Sequence, residues 1–236
     1  LSGEPMDPTA LRSTSAHVIV GPEVLDGVEI VPDVDTEHHL RRVVRLRDGE
    51  AVSVTDGLGR WRLAAVRAGG SALTLEPTSA VVVTEARSHP LTLAVAMPKG
   101  DRLDWLVQKV TELGVDRIVL LHAERSVVRW KPEKTAAHLA RLQRIADEAS
   151  RQSRRVWRVT IDAPVVAAEV LAGFVVAEPG GRRLGPEDRT VAVGPEGGWS
   201  SAELEAARDI VTLGANILRT ETAAVALSAL CVAFDR

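Results

Sequence analysis

From residue 91 onward the chain repeats one grammar, a short, largely apolar run followed by a stretch with helical spacing. The runs are LTLAVA (91–96), RIVLL (117–121), WRVTI (157–161), FVVA (174–177), TVAV (190–193) and IVTL (210–213). Each has strand length, and a strand apolar on both sides has to be covered on both faces. Between the runs, residues 101–113 keep Leu103, Leu106, Val107, Val110 and Leu113 on one face and end at Gly114, a C-cap position. Residues 133–153 read as a long basic helix and 167–171 as a short one. Ser200 with Glu203 makes a capping box opening a helix to about residue 208, and a last helix runs from about 222 to 234. This alternation predicts an α/β fold with a parallel sheet.

The first third reads differently. Short β-like runs at 17–20, 51–55, 61–66, 72–75 and 80–84 are separated by turn signals at Asp48-Gly49, Asp56-Gly57 and Gly69-Gly70. They predict a small β-barrel over residues 1–88, ahead of an α/β domain over 89–236. One segment departs from the β pattern: at 37–46, Leu40, Val43 and Val44 share a helical face, with Arg41, Arg42 and Arg45 around the rest. His38 and His39 read as surface residues, because no further ligand stands at metal spacing beside them.

Among the 236 residues, 45% are hydrophobic and 26% charged, a balance of globular chains that excludes disorder. No apolar stretch approaches a bilayer span and no basic-then-apolar leader appears. The single cysteine, Cys231, excludes an internal disulfide and a multi-cysteine zinc site, reads as core packing, and fits a cytoplasmic location. The net charge of −3 hides an asymmetry: residues 97–160 carry fourteen Lys and Arg against eight Asp and Glu, while both flanks are acidic. Clustered cations of this kind suit either a polyanionic partner, whose phosphates they would neutralise, or a solvated helix face.

In open α/β sheets, ligands sit beyond the carboxyl ends of strands. Three irregular segments meet that condition: 177–181 (AEPGG), 194–198 (GPEGG) and 213–219 (LGANILR). Glycine there lets main chain approach a ligand closely, and free amides can hold a carboxylate. The dinucleotide fingerprint G-x-G-x-x-G and the phosphate loop G-x-x-x-x-G-K-[ST] are both absent from the sequence, which removes the main support for nicotinamide or nucleoside triphosphate. On spacing alone GPEGG is either a site or an ordinary strand-to-helix turn.

The conjunction of motifs is more specific. HHLRRVVRLRDGEAVSVTDGLGR, MPKGDRLDWLVQKVTELGV, ERSVVRW, RIADEASRQSRR, GPEGGWSSAELE and LGANILRTETAAVALSAL occur in this order between about residues 37 and 234. Together they resemble the RsmE type of 16S ribosomal RNA uridine-N3 methyltransferase, within the SPOUT superfamily. The resemblance implies a C-terminal domain with a deep trefoil knot that holds S-adenosylmethionine, a PUA-like N-terminal barrel that engages RNA, and a homodimer. It places the cofactor at Glu178 and Pro179, at Gly194, Glu196, Gly197 and Gly198, and at Leu213, Gly214, Ile217, Leu218, Arg219 and Thr222. Two features depart from the family pattern: Arg151 stands where many relatives carry an acidic residue, and ALRSTSAHVIV lacks the usual arginine-phenylalanine opening.

Methyl transfer needs an acceptor in line with the methyl group, and orientation supplies much of the rate. Uridine N3 carries a proton near neutrality, so a base or an anion-stabilising group is required. Arg219 suits stabilisation, since a guanidinium stays charged and offers several donors. Glu221 and Glu196 are the candidate proton acceptors, although Glu221 in the first turn of a helix also complements its dipole and Glu196 also suits loop structuring. Candidate RNA contacts are Arg41, Arg42 and Arg45 in the first domain. In the second they are Lys99, Arg102, Lys109, Arg125, Arg129, Arg154 and Arg155, most of them suited to gripping backbone. Trp199 either stacks on a base or packs at a helix start, and the other tryptophans read as core or interface residues. No metal is required. Two other readings stay open: methylation of a ribose 2′-hydroxyl or another base position, and a non-catalytic RNA-binding assembly factor.

Overall fold

The structure, a computed structural model, describes residues 8–69 and 72–235, so Gly70 of the expected turn and the residues before Pro8 lie outside it. The chain divides into two units: residues up to Ala86 together with Ser150–Arg158, and Arg87–Ala149 together with Val159 onward. Two contiguous domains meeting at 88/89 were expected; instead a nine-residue segment from beyond the second unit's first strands returns to the first.

In the first unit, β1 (Ala16–Ile19) pairs in parallel with β2 (Ala51–Thr55), which forms a hairpin with β3 (Arg60–Arg67). The hairpin turn is built by Asp56, whose Oδ1 accepts from the Leu58 and Arg60 amides at 2.7 and 3.2 Å. β4 (Thr74–Pro77) and the two-residue β5 (Val82–Val83) both pair with β3. The run expected at 72–75 is thus displaced to 74–77, and the run expected at 80–84 is shortened to 82–83. β4 ends the strand path, where Pro77 costs no ladder donor. Period-2 alternation buries Val18, Val52, Val54, Val66 and Leu75 completely.

Helix α1 (Pro22–Leu25) and helix α2 (Val34–His38, capped by the Asp33 side chain) precede a stretch of π-helix, His39–Val44, closed by Arg45 in the left-handed conformation at φ 59°. The helical face expected from Leu40, Val43 and Val44 is not formed. Leu40 is buried, but Val43 and Val44 are exposed, because i→i+5 winding carries residues three and four positions on away from Leu40.

The returning segment is fastened by main chain and by rings. The amides of Gly59 and Arg158 donate to the carbonyls of Val156 and Gly57, both at 2.9 Å. Trp157 lies so close over Gly59 that a Cβ there would stand 2.4 Å from the indole. Trp157 Nε1 donates to the Thr84 carbonyl at 3.2 Å, and Val156 joins Leu11 and the fully buried Trp61 in a small core.

The second unit is a six-stranded, wholly parallel sheet in the order β11-β9-β10-β6-β7-β8. Its elements are β6 (Thr92–Ala96), α3 (Arg102–Leu113), β7 (Arg117–His122), α4 (Pro132–Ser153), β8 (Thr160–Val166), α5 (Ala167–Val170), β9 (Val175–Arg182), β10 (Thr190–Val193), α6 (Ser201–Ala206), β11 (Asp209–Val211) and α7 (Thr220–Ala233). Alternate residues enter separate cores. Leu93, Val95, Ile118 and Leu120 pack with Leu106, Leu142 and Leu227, whereas Ala94, Ala96, Val119 and Leu121 pack with Ala167, Leu171 and Trp199. Both faces are therefore covered, as the apolar runs require. α3 ends where expected: Gly114 takes φ 104°, its amide and that of Val115 returning to Thr111 and Val110.

Three expectations are corrected here. The strand expected at 157–161 forms at Thr160–Val166, since Trp157 is drawn into the first unit's core. The AEPGG segment continues β9 as far as Arg182 and is not an irregular turn. β11 is Asp209–Val211 and α7 begins at Thr220, so the irregular segment between them lies two residues earlier than the sequence suggested. Gly181 has a steric reason to be glycine, because a Cβ would stand 2.6–2.7 Å from the Ile210 and Val211 backbone. Beside it Arg182 grips Asp188 with two nitrogens at 2.7 and 2.8 Å and Asp209 at 2.6 Å, which fastens β9 to its neighbours. The guanidinium holds the Asp188 carboxyl below its ordinary range.

Candidate functional site

The capping box and the glycines set the site's geometry locally. Beyond β10 the chain turns at once, the Gly198 amide donating to the Pro195 carbonyl at 2.9 Å with Gly198 at φ 72°. It then enters α6 through the expected box: Ser200 Oγ accepts from the Glu203 amide at 3.3 Å, and the Ser200 amide donates to Glu203 Oε2 at 2.9 Å. Glu203 is buried, and its other oxygen accepts from the Glu124 amide at 2.8 Å, so one carboxylate also holds the loop after β7. Trp199 packs under the turn, 4% exposed, with its ring so near Gly194 that a Cβ there would stand 2.9 Å away. Packing at a helix start, one of its two sequence readings, accounts for its position.

The turn, β9 and the segment before α7 enclose a cavity of about 310 Å³. One wall is Ala177, Glu178 and Pro179 of β9; a second is Val193 through Trp199; the third runs from Leu213 to Leu218 and ends on Thr220 and Ala223 of α7. Thr220 Oγ1 donates to the Gly194 carbonyl at 2.9 Å, joining the second wall to the third. Three of the candidate segments therefore meet in one place, and Glu178, Pro179, Gly194, Glu196, Gly197, Gly198, Leu213, Gly214, Ile217 and Leu218 all line it.

Arg219 and Thr222 do not line the cavity. Arg219 is the exposed N-cap residue of α7, and Thr222 faces outward, whereas Thr220 and Ala223, three residues apart on one helix face, point in. Thr222 was named through the resemblance, and Thr220 lies before the helix start expected at about 222. Asn216 was also missed; it lies inside a segment whose flanks were named. Two polar atoms around the site are buried and make no hydrogen bond within the chain, Trp199 Nε1 and Glu221 Oε2.

The candidate proton acceptors share one cation. Arg102, the first residue of α3, approaches Glu196 Oε1 at 3.3 Å through Nη1 and Glu221 Oε1 at 3.8 Å through Nε. Glu196 and Arg102 are about equally half-exposed, but the Glu221 side chain is only 12% exposed. Arg125 donates to the Gly197 carbonyl at 3.3 Å, and Arg129 to that of Ala123 at 3.3 Å.

The remaining candidate RNA contacts divide by environment. Arg42, Arg45 and Lys99 are exposed. Arg41 pairs with Glu37 at 2.9 Å and Lys109 with Glu112 at 2.9 Å. Arg154 donates to the Thr14 carbonyl at 2.7 Å and to that of Arg151 at 3.2 Å, and Arg155 donates to the Trp157 carbonyl at 3.3 Å, so both hold the returning segment. Among the described residues no group of three or more His, Cys, Asp and Glu is placed to hold a metal ion, and no helix is long and apolar enough to cross a membrane.

A parallel sheet with a glycine-walled cavity beyond its strand ends defines a class, and comparison agrees on it. Residues 85–232 match the family described as an RNA methyltransferase domain, and residues 32–77 match an RNA methyltransferase PUA domain. The chain is 34% identical to the ribosomal RNA small subunit methyltransferase E of Synechocystis sp., over 92% of this chain and 78% of that one. It is also 34% identical to the protein of that name in Bacillus subtilis, over 82% and 86%. Its fold superimposes with a TM-score of 0.79 and 28% identity on the crystal structure of a ribosomal RNA small subunit methyltransferase E from Neisseria gonorrhoeae bound to S-adenosyl methionine, covering 91% of this chain and 95% of that one. The chain belongs to the ribosomal RNA small subunit methyltransferase E family.

Proposed function

We propose that this protein transfers a methyl group from S-adenosylmethionine to N3 of a uridine in 16S ribosomal RNA of the small subunit. The observation that carries the reading is the cavity of about 310 Å³ walled by the three candidate segments, a size at the lower end for small-molecule sites. Its walls fit such a donor. Ala177, Val193, Ile217 and Leu218 offer apolar surface, the turn at 194–198 offers main-chain groups, and the buried Trp199 Nε1 is a donor without a partner in the chain. The bound donor supplies an electrophilic methyl carbon on a sulfonium.

The chain's part is orientation and charge. Glu196 and Glu221 are the two carboxylates that can take the N3 proton: Glu196 lines the cavity and is half-exposed, whereas Glu221 lies outside its lining with one buried oxygen that makes no hydrogen bond within the chain. Arg219, exposed at the start of α7 beside the cavity wall, stabilises the charge that spreads onto the uracil carbonyl oxygens. A uridine has to be unpaired or flipped to present N3. The exposed Arg42, Arg45 and Lys99, with Arg125 and Arg129, then hold backbone phosphates.

Incubating the protein with small subunits from a strain lacking the modification and a labelled donor tests the reading. Label in N3-methyluridine of 16S RNA is the expected result. A 2′-O-methylated product, or no transfer with no donor binding, overturns it.

The same reading includes a deep trefoil knot in the second unit, a closed barrel in the first, a cytoplasmic location and a homodimer. Passage of β11 across Gly181 and the return of α7 onto the face over β6 and β10 support the knot. An exposed stripe on α7, with Ala229, Leu230, Ala233 and Phe234 outward while Leu227 and Cys231 are buried, supports the dimer. Leu230→Glu is expected to convert a dimer to a monomer in sedimentation. A wild-type protein that already sediments as a monomer removes the proposal.

A further inference from the structure

We propose that Arg102 is the positioning residue of the cofactor cavity, its guanidinium tying the turn after β10 to the first turn of α7 through Glu196 and Glu221. The proposal rests on the reading that the cavity takes S-adenosylmethionine. It gives Arg102 a task within the protein, in place of the RNA contact suggested by its charge.

The three partners differ in how firmly they are held. Arg102 opens α3, a helix pinned to the core by Leu103, Leu106 and Val107, all buried. Glu196 sits in a glycine-rich turn and Glu221 follows the irregular segment that forms the third wall. A buried element thus presents one cation to two walls that the Thr220 to Gly194 hydrogen bond also joins. Both carboxylates lie within 4 Å of that guanidinium, Glu196 at 3.3 Å and Glu221 at 3.8 Å. Without the cation, two like charges remain in one place and favour opening the walls.

An isolated, exposed ion pair would contribute little, and the Arg102–Glu196 contact alone is of that kind. The Arg102–Glu221 contact differs, because the Glu221 side chain is 12% exposed and one of its oxygens makes no hydrogen bond within the chain. Its partner is therefore screened less by water than a surface pair is. The forked, planar guanidinium reaches both carboxylates through different nitrogens, which a lysine ammonium reproduces only in part.

Calorimetric titration with S-adenosylmethionine, without RNA, tests this on the wild type, Arg102→Ala, Arg102→Lys, Glu196→Gln and the Arg102→Ala/Glu196→Gln double variant. Arg102→Ala is expected to weaken donor binding about tenfold, with the melting temperature unchanged, and Arg102→Lys to recover part of the loss. Adding Glu196→Gln to Arg102→Ala is expected to cost nothing further and to recover part of the loss, since the two residues act through one contact and the substitution removes one of the two like charges. In turnover, KM for the donor is expected to rise by more than kcat falls. Wild-type affinity in Arg102→Ala, or losses that multiply as independent effects in the double variant, overturns the proposal. Absence of binding by the wild type overturns instead the reading on which it rests.

Discussion

Replacing Gly194 with valine is expected to raise the dissociation constant for S-adenosylmethionine by about 100-fold, the equivalent of about 3 kcal/mol of overpacking at the cavity wall. The cause is steric and local. Gly194 is not among the glycines in the left-handed region, so its backbone would accept a side chain. The obstacle is Trp199, whose ring lies 2.9–3.1 Å from where a Cβ would stand. That ring is 4% exposed and packed into the core beneath the turn, with Val176 and Ala192 in the same cluster, so it has nowhere to retreat. The turn has to move instead, and with it the Gly194 carbonyl that accepts from Thr220. Gly173 is the control: a Cβ there meets nothing within 4 Å, and Gly173→Ala should bind the donor as the wild type does. Titration of both variants decides the matter, and an unimpaired Gly194→Val would show that the turn is not a wall of the site.

Acidification should destabilise the first unit through one histidine. His17 is buried, its Nε2 hydrogen-bonded to the Arg155 carbonyl at 2.9 Å and its Nδ1 to Ser53 Oγ at 2.7 Å. A carbonyl only accepts, so Nε2 carries the proton and Nδ1 accepts from the serine hydroxyl, which assigns the neutral tautomer. Burial is the main force pushing the pKa down from 6.5 to about 4, with Arg154 and Arg151 adding to it against the Arg155 hydrogen bond. The unfolded chain then binds a proton that the folded one refuses. Stability from this group is complete above pH 6.5 and is lost as the pH falls through the window down to about 4. The whole shift corresponds to about 3 kcal/mol, of which about 2 kcal/mol is gone by pH 5. Urea unfolding of the wild type and of His17→Gln at pH 7 and pH 5 should show the wild type losing more by that difference. Equal losses would mean that His17 does not govern the acid response.

The sheet of the second unit was legible because its apolar runs have no other stable use: a strand without a polar face has to be covered on both sides. Leu93 and Ala94, adjacent in sequence, enter separate cores for that reason. The turn at 194–198 was legible from its glycines and its capping box, both local signals. The fate of RIADEASRQSRR was not. Arg154 and Arg155 read as candidate RNA contacts, yet both donate to carbonyls in the first unit's own fold. Only a partner 140 positions away in the chain, Thr14, reveals that use, and local periodicity carries no such information. Val43 and Val44 were misplaced for a different reason, since π-winding replaces the spacing on which a helical face is counted.

By itself, the sequence determined the alternation of elements, the covered parallel sheet, the three segments that wall the cavity and, through its motifs, the family. Those depend on neighbours within a few residues or on patterns that short-range physics imposes. Only the tertiary structure decided that residues 150–158 complete the first unit, that Thr220 rather than Thr222 faces the cavity, and that Arg102 stands between Glu196 and Glu221. Each of these is a meeting of atoms far apart in the chain or a matter of helix phase, and charge or burial at such meetings is fixed by packing, which composition and spacing do not encode.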